Sequence, residues 1–200
     1  MHEDRRVQRS RELLQKALLE LLQTRDYDVI TIQDITERAN VGRTTFYLHY
    51  ESKEDLYRQA HVTEVARIAA DPPTRAELFA DDPPARMVAV YVYHWSTRDR
   101  LRMVYFGKDS EVLFRQLRDH SAQQIAAQLQ VTFADTPFHV PVDVVANLLA
   151  SSEMGLMMWW IEKHAAHTPE QMATYFHRLR RGILKESLLP ASITGDFSRT

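Results

Sequence analysis

Residues 31–60, TIQDITERANVGRTTFYLHYESKEDLYRQA, decide the fold of this chain. Thr31 and Asp34 have capping-box spacing, in which a threonine hydroxyl and an acidic side chain satisfy each other's backbone amides at a helix start. Ile30 and Ile35 occupy the two positions of a hydrophobic staple. The spacing predicts a short helix to Ala39. Asn40 tolerates the left-handed conformation that ends a helix, Gly42 opens the next one, and Arg43 to His49 form a second short helix. Ser52 caps a further helix, with Glu54 and Asp55 near the positive end of its dipole.

On the N-terminal side, Leu14, Ala17, Leu18, Leu21 and Leu22 recur at helical spacing with charge on the opposite face, so residues 6–24 read as an amphipathic helix. A supporting helix, a short helix, a tight turn and a second short helix make a helix-turn-helix, which lays its second helix in the DNA major groove. Phe46 and Tyr50, four apart, turn inward with Ile35, Ala39 and Leu56, so Arg43, Thr44 and Tyr47 point outward. Arg43 is the candidate for bidentate guanine readout, Thr45 for a thymine methyl or a phosphate, and Tyr47, His49 and Lys53 for the DNA backbone. Thr31 and Gly42 add backbone amides at helix starts, which attract phosphates. Geometry alone fits two solvated helices of a bundle equally well, so the residue pattern has to decide.

That pattern, Phe46-Tyr47-x-His49-Tyr50 followed by Ser52-Lys53-Glu54-x-Leu56, resembles the N-terminal domain of the tetracycline-repressor (TetR/AcrR) family of bacterial regulators, over about residues 6–60. The resemblance implies an all-helical homodimer of about nine or ten helices, usually a repressor released from DNA by a small ligand in the C-terminal domain. Three positions depart from the family pattern. Thr36 stands where the family usually has Ala, Asn40 where it has the turn Gly, and Gly42 where a Ser often caps the recognition helix and touches phosphate.

Charge adds little, since 25 Lys+Arg stand against 27 Asp+Glu. Only Arg5, Arg6, Arg9, Arg11 and Lys16, opposed by Glu12 alone, form a local basic patch suited to phosphates. The chain has no cysteine, which excludes disulfides and thiolate metal sites and suits a cytoplasmic location. The start MHEDRR lacks the apolar core of a signal peptide. The apolar run Met154–Ile161, broken only by Gly155, is too short to span a bilayer, so no membrane association is expected. His164-x-x-His167 straddles a predicted helix end and reads as a solvated pair. Residues 107–110 lack the glycine and hydroxyl spacing of a phosphate loop. Without hydrolase, metalloprotease or dinucleotide motifs, neither a cofactor nor an enzymatic activity is expected.

Beyond residue 70 the pattern is again helical, with segments at about 84–96, 99–106, 110–133, 141–164 and 169–189, the last opened by Thr168-Pro169-Glu170-Gln171. The expected architecture is all-α: a helix-turn-helix DNA-binding domain over 1–52, a connecting helix over 53–70 and a regulatory and dimerisation domain over 71–200. Tyr91, His94, Trp95, Met103, Phe106, Phe114, Met154, Met157 and Met158 are candidates to line a mainly apolar ligand cavity, with His94 as its polar anchor, though a methionine and aromatic stripe is more often ordinary core. Leu148, Trp159, Met172, Phe176, Leu179 and Ile183 are candidates for a four-helix homodimer interface, which a palindromic operator in double-stranded DNA requires. Two other readings stay open: a DNA-binding regulator controlled by a protein partner rather than a small molecule, and an all-α ligand-binding or catalytic protein.

Overall fold

Helix caps and 3.6-residue periodicity carry through to ten α-helices in a computed structural model that describes residues 5–69, 71–106, 110–163 and 166–188, with residues 103 and 104 in backbone only. They are α1 (Arg5–Leu21), α2 (Ile32–Ala39), α3 (Arg43–His49), α4 (Lys53–Ala69), α5 (Arg75–Phe79), α6 (Ala85–Ser96), α7 (Arg98–Tyr105), α8 (Ser110–Thr132), α9 (Val142–Lys163) and α10 (Pro169–Ser187). A single 3-10 turn, Tyr27–Val29, joins α1 to α2, and no β-strand occurs among the described residues. The fold is all-α. His164 and residues 107–109 lie outside the described residues.

Local signals account for most of these boundaries. Thr31 and Asp34 form the expected capping box, Asn40 adopts φ 52° and ψ 47° as the left-handed C-cap of α2, and Val41 N–H donates to Thr36 O at 3.0 Å. Thr168 and Gln171 cap α10 in the same way, with Pro169 in its first turn. α5 was not expected, although Thr74 and Glu77 supply it with a capping box between the two Pro-Pro pairs.

The chain divides into two compact units: the N-terminal stretch to Ile68 together with Ser96–Leu117, and Ala69–Trp95 together with the chain from Arg118 onward. Residues 96–117, assigned by sequence to the C-terminal domain, thus group with the N-terminal one. The physical reason is that α7 packs on the Tyr27–Val29 turn and Tyr105 lies edge-on to His61 of α4. In this first unit Leu14, Leu18, Ile35, Phe46 and Leu56 are completely buried. Thr36 is also buried, and its hydroxyl donates to Gln33 O at 3.0 Å, so a threonine sits in this helix-packing position with its polar group satisfied.

The second unit is centred on Leu78, Leu129, Phe133, Val145, Leu149 and Leu184. α10 clasps the α5–α6 connection: His177 Nε2 donates to Ala80 O at 2.9 Å, and Arg181 donates to the same carbonyl and pairs with Asp81. By length and composition α9 could cross a membrane, contrary to the reading from its unbroken run alone. Burial supplies the reason for its apolarity, because Val145, Ala146, Leu149, Ala150, Met157, Trp160 and Ile161 face the unit's interior.

Two histidines here are held neutral. A carbonyl can only accept and a guanidinium can only donate, so His177 carries its proton on Nε2 and accepts from Arg180 at Nδ1. His94 is buried, with Nδ1 2.7 Å from Val90 O, and burial lowers its pKa to about 4. The unfolded chain therefore takes up protons first, and stability that is complete above pH 6.5 is lost as pH falls toward 4. Relative to His94→Phe, the wild type should lose about 3 kcal/mol of unfolding free energy between pH 7 and pH 4, followed by urea denaturation.

Candidate nucleic-acid interface

α3 has only seven residues, and its two faces differ sharply. Phe46 and Tyr50 are buried with ring centroids 5.7 Å apart, and α3 packs on both α1 and α2. Arg43, Thr44, Tyr47 and Leu48 are exposed, while Thr45 and His49 are half-buried. Arg43 and Tyr47 form an i, i+4 pair on the outer face, with the guanidinium carbon 5.7 Å from the ring centroid and Nη2 3.4 Å from the hydroxyl. The outer face thus offers a guanidinium, hydroxyls and an apolar group on one short rigid segment, a combination that serves base-edge readout. Leu48, 75% exposed, was overlooked in the sequence. It lies two residues from both Phe46 and Tyr50, an offset of about 200° on a helix, which marks it as outward-facing.

Three residues expected to meet phosphate, His49, Lys53 and Thr31, are engaged within the protein, while Gly42 opens α3 as expected. His49 Nε2 lies 2.7 Å from Ser10 Oγ, which ties α3 to α1. Lys53 Nζ donates to Tyr27 O at 2.7 Å and Ile30 O at 3.0 Å and sits 4.0 Å from the Tyr27 ring centroid. Its ammonium holds the turn that leads into α2. The Thr31 amide donates to Asp34 Oδ2 at 2.7 Å, so it is already committed to its own cap. Gly42 caps α3 in ordinary extended conformation at φ −72° and ψ 150°, without a side-chain cap.

A second clasp reinforces the first. Arg25 reaches Asp34 at 2.9 Å and Val29 O at 3.2 Å, and Tyr27 donates to Glu54 at 3.0 Å. These bonds, with those from Thr31, hold the Asp34 carboxyl far below the usual carboxylate range. Arg25, Ser10 and Glu54 have no sequence signal that points to these roles, since the side-chain partner of each lies nine or more residues away.

The remaining candidates separate by unit. Tyr91, His94, Trp95, Met154, Met157 and Met158 belong to the second unit, where Trp95 stacks on Trp160 at 4.6 Å and Tyr91 meets the same ring at 6.2 Å. Phe106 and Phe114 belong to the first, with Phe106 46% exposed. The Met103 side chain lies outside the described residues. Among the dimer candidates Leu148, Trp159 and Leu179 are exposed at 51%, 43% and 61%. Met172 and Phe176 are buried within the single chain and Ile183 packs against its core, because their stripe on α10 faces inward.

Residues 14–60 match the family model for bacterial regulatory proteins of the tetR family. Over that stretch the chain is similar to the DNA-binding part of that family. An uncharacterized HTH-type transcriptional regulator of Bacillus subtilis (strain 168), YxbF, is 29% identical over 186 residues, covering 86% of this chain and 45% of that protein. The chain therefore spans about half the length of the curated relative it matches. Among solved structures, the Thermus thermophilus repressor FadR in complex with lauroyl-CoA shares the fold at TM-score 0.57 and 19% identity, covering 93% of this chain and 99% of that one. The dihydroxyacetone kinase operon activator DhaS does so at TM-score 0.56 and 14% identity, covering 90% and 98%. The tetR family and the relative with a curated description are transcriptional regulators, not enzymes.

In a domain held this way, substitutions separate readout from positioning. Arg43→Ala should weaken DNA binding by about 1–3 kcal/mol and relax base preference. Lys53→Met should lower both thermal stability and affinity while leaving the slope of affinity against salt unchanged, because its ammonium is used inside the protein. Binding isotherms over a salt series check both. A Cβ at position 42 meets only Thr45 Oγ1, at 3.9 Å, so Gly42→Ser fits. It should raise stability by about a few tenths of a kcal/mol, measured by thermal denaturation.

Proposed function

We propose that this protein is a homodimeric regulator that reads a palindromic operator with α3 and is released from it by a small, largely apolar ligand held in its C-terminal half. The observation that carries the DNA reading is the outer face of α3, where Arg43, Thr44, Thr45 and Tyr47 stand around a buried Phe46–Tyr50 anchor. The exposed Arg5, Arg6 and Arg9 on α1 supply a basic patch for phosphates.

The homodimer is supported by a water-facing apolar stripe. Val144, Leu148 and Trp159 on α9 and Tyr175 and Leu179 on α10 are each 41–61% exposed, at helical spacing. Gly155 and Gly182 leave open space among them, which lets another helix approach closely. A second copy joined through α9 and α10 gives a four-helix interface with two-fold symmetry, matching a palindrome read by two copies of α3 about 34–36 Å apart.

The ligand reading rests on aromatic and methionine side chains in the second unit, among them Tyr91, Trp95, Met154, Met157 and Met158. FadR, with the same fold, carries an amphipathic acyl ligand, lauroyl-CoA. Repression follows if the bound dimer occludes DNA that other proteins need. Transcription in vitro from a bound operator determines the sign, and loss of transcript on adding protein supports repression.

Selection of bound DNA from a random pool at fixed salt should return a palindromic consensus; an asymmetric single site would overturn the dimeric reading. Leu148→Glu combined with Leu179→Glu should yield a folded monomer in sedimentation, with operator affinity reduced by roughly a hundredfold or more.

A further inference from the structure

Burial changes which residue of α3 stands foremost. A helix turns by about 100° per residue, so the buried rings of Phe46 and Tyr50, one turn apart, fix the direction of its inner face. Leu48, midway between them in sequence, lies about 180° from the middle of that face. Thr44, one turn earlier and exposed, is about 40° from Leu48, whereas Arg43 and Tyr47 lie about 100–140° round, on one flank. Leu48 is 75% exposed, while Thr45, the sequence candidate for a thymine methyl, is half-buried.

A leucine at the tip of a helix aimed at DNA has one group to recognise. It neither donates nor accepts a hydrogen bond, so the amino, carbonyl and ring-nitrogen groups of the base edges give it nothing. The C5-methyl of thymine is the apolar group that the major groove presents. The charge around Leu48 fits the same occupant. Ser10 Oγ lies 2.7 Å from His49 Nε2, which brings the first turns of α1 beside the end of α3 that carries Leu48, and Arg5, Arg6 and Arg9 on those turns are exposed. Leu48 is also the only aliphatic side chain of α3 apart from its threonine methyls. A single leucine beside hydroxyls and cations suits a polyanion dotted with methyls, whereas another protein's apolar face needs a contiguous patch.

We propose that Leu48 is a specificity-determining residue that packs on the C5-methyl of a thymine in each half of the operator. The assignment rests on the DNA reading proposed above and adds a base for which α3 selects by apolar contact rather than by hydrogen bonding. Thr44 widens that contact with its own methyl, Arg43 reaches guanine from the flank, and the thymine passes from Thr45 to Leu48.

The test titrates the full chain on a duplex recovered by selection from a random pool, and on versions in which one thymine at a time is replaced by uracil. That exchange removes the methyl and keeps the pairing. At one thymine of each half-site it should weaken binding by about fourfold, and by about fifteenfold when both halves are changed. Leu48→Ala should weaken the thymine duplex by about tenfold and bind thymine and uracil duplexes within about twofold of each other. Its melting temperature and its slope of affinity against salt should match the wild type, because Leu48 is exposed and uncharged. Leu48→Met should retain the preference for thymine, and so should Thr45→Ser, which removes the other candidate methyl. A uracil penalty that persists in Leu48→Ala, or vanishes in Thr45→Ser, overturns the assignment. So does a retarded duplex in which no uracil exchange costs more than about twofold, and in both cases the DNA reading stands. If the chain retards no duplex at low salt, the DNA reading itself falls and the thymine contact with it.

Discussion

The burial of Phe46 and Tyr50 is the constraint on which the DNA-facing half depends. A seven-residue helix has no stability of its own in water, so α3 exists because those two rings are packed against α1 and α2. Truncating a buried phenylalanine costs on the order of 3–5 kcal/mol, comparable to the whole stability of many domains. The outward residues are presented by default: once positions 46 and 50 are inside, positions 43, 44, 47 and 48 have nowhere else to point.

The surroundings of α3 are built to resist movement. Ser10 meets His49, Lys53 grips the carbonyls of Tyr27 and Ile30, and Arg25 binds Asp34 at the start of α2. Each of these joins two elements rather than two residues of one helix. A cation that looks from sequence like a phosphate contact thereby becomes a fastener of the scaffold. Its influence on DNA then runs through the position of α2 and α3.

The second unit combines opposite demands. α9 is apolar on the side that builds the core and again at Val144, Leu148 and Trp159, which face water in the single chain. That double-sidedness gives a core helix the composition of a membrane span. Into the same interior the chain places Glu153 and Arg180, at positions where leucine or methionine would be more stabilising.

Much of this was legible in the amino-acid sequence, because its signals are local. Capping boxes at Thr31 and Thr168, the left-handed Asn40 and the inward pair Phe46–Tyr50 act over three or four residues, so spacing alone reveals them. The box at Thr74 is of the same kind and opens α5. What tertiary structure alone decided are the interactions between elements: His49 with Ser10, thirty-nine residues away, and Lys53 with Tyr27, twenty-six away. It also decided that Met172 and Phe176 belong to the core while Leu148 and Leu179 do not. Periodicity shows that a helix has an apolar stripe but not which neighbour covers it, since that depends on how the helices dock.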